Sequence, residues 1–360
     1  MAKIDALFKV VVESGGTDLH MSPSSKPLIR KIGQLIPIEQ APIITEEMNK
    51  ALLYEIMTEL QRKTYEETKD LDMAYTSEAV NLRFRVNVFQ DKKGIAAVFR
   101  IIPTQIKTME ELGVAPMLKD FANLHKGLVL VTGPAASGKS TTLASMIDYI
   151  NNTREDHVLT VEDPIEFVHL SKKCLVNQRE VGKNTNSFAS ALKGALREDP
   201  DVIMVGEMRD LETIELAITA AETGHLVFGT LHTGSAAKTI DRVINSFPTK
   251  AQAQIRAMLS ESLRGVVSQQ LMFTTQGERV LAQEILVGTP AIGNMIREGK
   301  TFQIPSIMQA SKREGMLTMD GSIMELLLKK IITPEEAYLK CAEKKTFEHL
   351  LTNKPENVIF

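Results

Sequence analysis

The 360 residues carry 42 Lys and Arg against 45 Asp and Glu, a net charge of −3, and 43% of them are hydrophobic. That content supports one large core or two smaller ones, while the slight acidity excludes a chain whose main work is coating nucleic acid or an anionic membrane. No apolar run nears the ~20 residues of a bilayer span, and the two cysteines, Cys174 and Cys341, lack the spacing of a zinc site or a disulfide framework.

The opening stretch MAKIDALFKVVVESGG is interrupted by Asp5 and offers no small-residue cleavage site, so it does not read as a signal peptide. Within it Ile4, Leu7, Phe8 and Val11 recur at helical spacing, which predicts a helix over 3–13 that Gly15-Gly16 ends. TDLHMSPSSKPLIRKIGQLIPI reads as short strands between Ser/Pro turns, with His20 a structural, hydrogen-bonded histidine. A helix follows over 45–66, capped by Thr45, with Met48, Leu52, Leu53 and Ile56 as its apolar stripe. From Asn81 the period is two. Leu82, Phe84, Val86 and Val88 alternate with Arg83, Arg85 and Asn87, and the chain turns at 90–94 into a second strand over 95–102. Arg83 and Arg85 then share a face, either as a solvated edge that discourages strand pairing or as two cations aimed at a nucleotide.

Pro103 closes a first domain over 1–102, and 103–120 is a linker with one or two helical turns. A core over 121–288 alternates strand and helix, the pattern of a mainly parallel α/β sheet. Strands are expected at 127–132, 157–162, 201–206 and 226–231, and helices at 139–151, 186–197, 210–223 and 250–270. Asp210 caps the third of these helices and Gly224 ends it. A hairpin over 273–287 turns at Gln276-Gly277, and 289–360 is a helical tail with Pro290 at a first helical position.

The stretch that organises the chain is GLVLVTGPAASGKSTTLASMI at 127–147, an apolar strand, a small-residue loop and a helix. Gly133, Gly138, Lys139 and Ser140 match the phosphate-loop pattern G-x-x-x-x-G-K-[ST]. Backbone N–H groups of such a loop cradle phosphate, its lysine reaches the β- and γ-phosphates, and its hydroxyl sits on Mg²⁺. A nucleoside triphosphate site also needs acids. Val202–Val205 runs into Gly206-Glu207 and Val158–Val161 into Glu162-Asp163, so two carboxylates leave parallel strands on the edge where ligands bind. Either could polarise water. His232 follows the fourth strand on that same edge, while His225 lies at its opposite end. Arg83, Arg85, Arg197 and Arg209 are the candidate cations.

The strings LRFRVNVFQ (82–90), VEDPIEFVH (161–169), VNQREVG (176–182), ALREDPDVIMVGEMRD (195–210), AAETGHLVFGTLHT (220–233) and SAAKTIDRVI (235–244) resemble the secretion and type IV pilus ATPases. The resemblance covers essentially the whole chain. It implies a PAS-like α+β N-terminal domain, a RecA-like P-loop ATPase domain and a helical C-terminal tail, assembled as a homohexamer. Within that resemblance Glu162 is the general base and Glu207 acts near Mg²⁺, with Ser140 as the other metal-side residue. His232 belongs to a histidine motif, and Arg83, Arg85, Arg197 and Arg209 line the nucleotide site. Gly133, Pro134, Ala135, Ala136, Ser137, Gly138, Lys139, Ser140 and Thr141 hold the ATP. The implied partners are an inner-membrane pilus platform protein and a companion retraction ATPase, with the chain cytoplasmic and peripheral at that membrane. Assembly-side members are longer and carry a four-cysteine zinc module, so two cysteines favour retraction over extension.

The chain departs from the family's pattern at two places. Ala135 and Ala136 stand where GPTGSGKST has Thr and Gly, and AIGNMIRE (291–298) replaces AIRNLIRE, so that Gly293 occupies a helix interior at a cost of roughly 1 kcal/mol relative to alanine. The functional expectation is a Mg-ATP-driven motor for pilus retraction. The alternatives are an accessory ring that binds nucleotide and regulates a companion motor, a secretion or pilus-assembly ATPase, and a nucleic-acid motor. The acidic balance and the lack of a basic, aromatic-rich arm argue against the last.

Overall fold

A computed structural model describes residues 2–31, 34–102 and 105–351. The boundary expected at Pro103 lies outside them, as do the last residues of the expected tail. The chain divides into two compact units. One comprises the residues up to Gln105 together with Glu166–Val168, and the other Ile106–Ile165 and the residues from His169 on.

In the first unit α1 (Asp5–Glu13) leads to three short strands, β1 (Asp18–Met21), β2 (Leu28–Lys31) and β3 (Gln34–Pro37). The single helix expected over 45–66 is two. In α2 (Glu46–Ile56) the Thr45 hydroxyl accepts the Met48 N–H. In α3 (Glu59–Thr68) a reciprocal capping box between Thr58 and Gln61 starts a new helix where apolar spacing alone suggests continuity. β4 (Asp70–Ser77), not anticipated from the sequence, joins the hairpin of β5 (Leu82–Asp91) and β6 (Gly94–Ile102). The strands pair antiparallel in the order β3-β2-β1-β6-β5-β4. Alternation in β5 buries Phe84, Val86 and Val88, and the Phe8 ring of α1 stacks on Phe84 at 4.0 Å and meets Phe99 edge-on at 5.1 Å. Truncating such a ring to alanine costs about 3–5 kcal/mol.

In the second unit α4 (Met117–Ala122) precedes β7 (Gly127–Thr132), followed by α5 (Lys139–Thr153), β8 (His157–Glu162), β9 (Leu175–Glu180), α6 (Phe188–Ala195) and β10 (Val202–Val205). Next come α7 (Leu211–Glu222), β11 (Leu226–Leu231), α8 (Ala236–Asn245), α9 (Thr249–Ser262), β12 (Leu263–Phe273) and β13 (Arg279–Val287). The tail contributes α10 (Pro290–Glu298), α11 (Ile304–Ala310), α12 (Met319–Leu328), α13 (Pro334–Lys340) and α14 (Lys344–Glu348). Seven strands form one sheet in the order β13-β12-β7-β11-β10-β8-β9, parallel except for β13. Every residue of β7 and β11 is buried, because helices cover both faces, and their sequences are accordingly near-continuous apolar runs.

One expectation is overturned. The helix expected over 250–270 stops at Ser262, and residues from Leu263 form β12, between β7 and β13. A strand buried on both faces shows no alternation, so its apolar content reads equally as helix. Gly265 is the telling residue. A Cβ there would lie 2.3 Å from the Phe121 ring of α4, so the strand lies against α4 too closely for any side chain. β9 and α8 are likewise additions to the expected elements.

This topology aligns the C-terminal ends of β7, β8, β10 and β11 on one edge of the sheet, beside the middle of the longer β12. Thr132 is level with Leu231 and Ser268, and Val205 with Val161. Thr132, Glu162, Glu207 and His232 therefore occur where their strands end or just beyond, and Gln269, inside the longer β12, follows the Ser268 that is level with Thr132.

Candidate active site

The loop between β7 and α5 is shaped by backbone conformations that few side chains allow. Gly133 (φ 144°), Ala136 (φ 60°) and Gly138 (φ 90°) all have positive φ. At Gly133 a Cβ would stand 2.3 Å from the Gln269 carbonyl oxygen and 2.5 Å from the Ser137 hydroxyl, so only glycine permits that approach. Gln269 also spans to α5, its Nε2 donating to Thr142 Oγ1 at 2.8 Å. Pro134 and Ala135 are exposed, whereas Ser137 is buried; Ser140 and Thr141 lie in the first turn of α5, Ser140 exposed and Thr141 half-buried.

The loop closes around Lys139, only 9% exposed. Its Nζ donates to the carbonyls of Gly133 and Pro134, each at 2.9 Å, and lies 3.4 Å from His232 Nδ1. Burial holds this ammonium below its ordinary value against the opposing pull of Glu207. On the other side of the imidazole, His232 Nε2 lies 3.0 Å from Glu207 Oε1, and Arg209 Nη2 lies 2.6 Å from Glu207 Oε2. The imidazole thus lies between the two, Nδ1 toward the lysine and Nε2 toward the acid. Burial alone would lift the Glu207 carboxyl. Arg209 and His232 outweigh it and leave the group ionised, below the usual carboxylate range.

Glu162, 6% exposed at the end of β8, accepts from Thr160 Oγ1 at 2.7 Å and from Gln178 Nε2 at 3.1 Å. A further chain of hydroxyls, all buried but the half-buried Thr233, underlies the site. Thr233 meets Thr239 at 2.6 Å, Thr239 lies 3.4 Å from Thr132, and Thr132 meets Ser268 at 2.8 Å. The turn that carries His232 is thus bonded to the base of the phosphate loop.

Of the residues expected from the sequence, Lys139, Glu207, His232 and Arg209 come together at this edge. Arg197 is exposed in the turn after α6. Arg83 and Arg85 belong to the first unit, on one face of β5, where Arg85 stands 3.7 Å from Glu166. His225, at the start of β11, bonds the Ala220 carbonyl at 2.9 Å. Thr160, Gln178, Thr239 and Gln269 went unremarked in the sequence, since single polar residues in strands and helices carry no local signal.

The residues present suit a triphosphate. Lys139 is a buried cation whose direct partners are two carbonyls and an imidazole, and the buried Ser137 hydroxyl has no hydrogen-bond partner among the described residues. Backbone N–H groups and an ammonium around such a cradle select a polyanion. The donor set also suits Mg²⁺, which takes few protein oxygens and completes its shell with phosphates and waters. Ser140 and the ionised Glu207 offer such oxygens, and no cluster of three His, Cys, Asp or Glu able to hold a metal occurs among the described residues.

Residues 1–324 match the family model described as type II/IV secretion system protein. The chain is 53% identical over 344 residues to the type IV pilus retractation ATPase PilT of Pseudomonas aeruginosa, covering 96% of this chain and 99% of that one. It is 52% identical over 312 residues to a twitching motility protein of Neisseria gonorrhoeae, with 86% and 83% covered. The crystal structure of a pilus retraction motor PilT with bound ADP aligns with a TM-score of 0.91 at 44% identity, over 97% of this chain and 100% of that one. The shared architecture is a two-domain α/β arrangement with a RecA-like P-loop core and a helical C-terminal tail.

Proposed function

The chain belongs to the type II/IV secretion system protein family, and from that premise we propose that it is a Mg-ATP-hydrolysing motor that powers type IV pilus retraction and twitching motility. One arrangement carries the reading: the contiguous Lys139–His232–Glu207 set at the mouth of the phosphate loop, with Glu162 ending a strand of the same sheet edge.

Phosphoryl transfer needs positioning and charge more than covalent chemistry. Backbone N–H groups over Gly133–Thr141 hold the triphosphate, and Lys139 meets its β- and γ-phosphates. His232, bonded between Lys139 and Glu207, senses whether the γ-phosphate is present. Glu162 accepts a proton from the hydrolytic water. Glu207 and Ser140 hold the metal side, and Mg²⁺ when bound neutralises charge on the phosphate oxygens. The cavity of about 360 Å³ between the outer face of the loop (Pro134–Ser137), Gln270–Phe273, Arg279 and Lys340 receives the nucleoside end. Arg83, Arg85, Arg197 and Arg209 supply positive charge to the transition state, some of them from a neighbouring protomer of a homohexameric ring.

In this reading the first unit is a PAS-like domain over 1–102, joined through 103–120 to the ATPase core over 121–288 and the tail over 289–360. Hydrolysis turns the domains against one another and draws on an inner-membrane platform protein, alongside a companion ATPase. The chain works in the cytoplasm, peripheral to that membrane, and no described helix is long and apolar enough to cross it.

Two measurements test this. Purified protein should release phosphate from ATP in a Mg²⁺-dependent way, and Glu162→Gln should lose at least a hundredfold in kcat while still binding nucleotide. Cells lacking the gene should keep their pili and fail to withdraw them. Phosphate release that does not depend on Glu162 would end the assignment of the base, and normal retraction in the deletion would end the motor reading.

A further inference from the structure

Two donors converge on a single oxygen of Glu162. Thr160 and Glu162 are two residues apart on β8, so their side chains leave the same face of the sheet, and Gln178 is the register partner of Thr160 on β9. Thr160 Oγ1 donates to Glu162 Oε1 at 2.7 Å and Gln178 Nε2 donates to that same oxygen at 3.1 Å. The orientation of the glutamine amide is itself determined. Its carbonyl Oε1 accepts the His169 N–H at 2.8 Å, so a flipped amide would set its NH₂ against another donor. Thr160 is fully buried, and Glu162 nearly so.

We infer that Thr160 and Gln178 are positioning residues for the general base. The inference rests on the assignment of that role to Glu162. A glutamate has three side-chain torsions, and a strand end restrains few of them. Two donors on Oε1 restrain those torsions and fix the carboxylate plane at the end of β8. A misplacement of about 1 Å at a reacting group costs on the order of a hundredfold in rate, which is what such restraint prevents. Gln178 adds a second link, because the His169 N–H that orients it lies on the connection between β8 and β9. The strand that carries the base, its neighbour and the loop between them are thereby held in one hydrogen-bonded unit.

The test uses the purified full chain and reads ATP hydrolysis, nucleotide affinity and thermal stability for each variant. Thr160→Val keeps the shape of the side chain and removes the donor. Gln178→Met keeps most of its length and removes both bonds. Each is expected to lower kcat about ten- to a hundredfold while the affinity for ATP changes less than about twofold. Thr160→Ser, which restores the hydroxyl, should recover most of the turnover. Placed on Glu162→Gln, Thr160→Val should subtract nothing further, because the carboxylate it positions is gone.

If Glu162→Gln abolishes turnover but Thr160→Val and Gln178→Met keep kcat within about twofold of the parent, the positioning role is wrong and the base assignment stands. A loss in Thr160→Val that serine does not recover, or that persists undiminished on Glu162→Gln, would make the hydroxyl merely structural and overturn the inference. Should Glu162→Gln itself turn over normally, the base assignment fails and the inference goes with it.

Discussion

Gly293, in α10, lies so near α9 that a Cβ built on it would stand 2.9 Å from the carbonyl oxygen of Ser260. From the sequence, this glycine reads only as a helix-weakening residue where alanine would be better. Packing reverses the sign. The bare Cα lets α10 cross α9 closely, and the crossing is tied by Arg297 Nη2 donating to Ser260 Oγ at 3.1 Å. Gly293→Ala is expected to gain about 1 kcal/mol in helix propensity and lose about 1–3 kcal/mol to the clash, so that Tm falls. A rise in Tm would show that the helices separate freely.

Ala136 occupies the left-handed region at φ 60°, a conformation that costs an L-residue about 1–2 kcal/mol. Ala136→Gly removes that strain but adds freedom to the unfolded chain, so the net gain in stability is expected to stay below about 1 kcal/mol. Ala136→Val places a branched side chain at the same φ and should weaken ATP binding by at least about tenfold. Thermal melting checks the first and titration with a fluorescent nucleotide the second.

His169 is 6% exposed, and burial, set against a weaker opposing influence from Asp148, pushes its pKa from 6.5 down to about 4, with Lys172 acting in the same direction as burial. The unfolded chain therefore binds the proton first. The stability is complete above pH 6.5 and is lost as pH falls toward 4, about 3 kcal/mol in all. Urea midpoints taken at pH 7 and pH 4.5 should differ by less in His169→Gln, which has no such proton to take up. An unchanged difference would locate the acid sensitivity elsewhere.

Thr239 is fully buried and serves three partners, the Thr233 hydroxyl at 2.6 Å, the Ser235 carbonyl at 2.7 Å and Thr132 at 3.4 Å. Thr239→Val keeps the volume and leaves the half-buried Thr233 hydroxyl without this partner, while the Ser235 carbonyl still accepts the Thr239 N–H at 2.9 Å, so the expected cost is about 1 kcal/mol. The turn bearing His232 loosens with it, so kcat should fall further than ATP affinity. Thr239→Ser should restore both, and a serine variant no better than valine would assign the effect to the methyl group.

The most legible parts of this molecule were those written in short stretches of sequence. The phosphate loop is a spacing of four fixed residues over eight positions, and the strands leading to Glu162 and Glu207 are apolar runs with an acid at the exit. Thr45 and Asp210 announced their helices because a cap acts within three residues. By contrast, the hydroxyl of Thr58 and the amide of Gln61 divide a helix that its apolar stripe would continue, a contest between two local signals that the capping box wins.

Chain order alone settled that a strand, a glycine-containing loop and a helix follow one another here, because the torsions and hydrogen bonds involved are made between near neighbours. Which face of β12 meets Phe121, which oxygen of Glu162 receives Gln178, and how near Gly293 comes to Ser260 were decided only on folding. Those contacts join residues far apart in the chain, or across a strand register that no local pattern specifies, and they exist because close packing leaves each side chain one place to go.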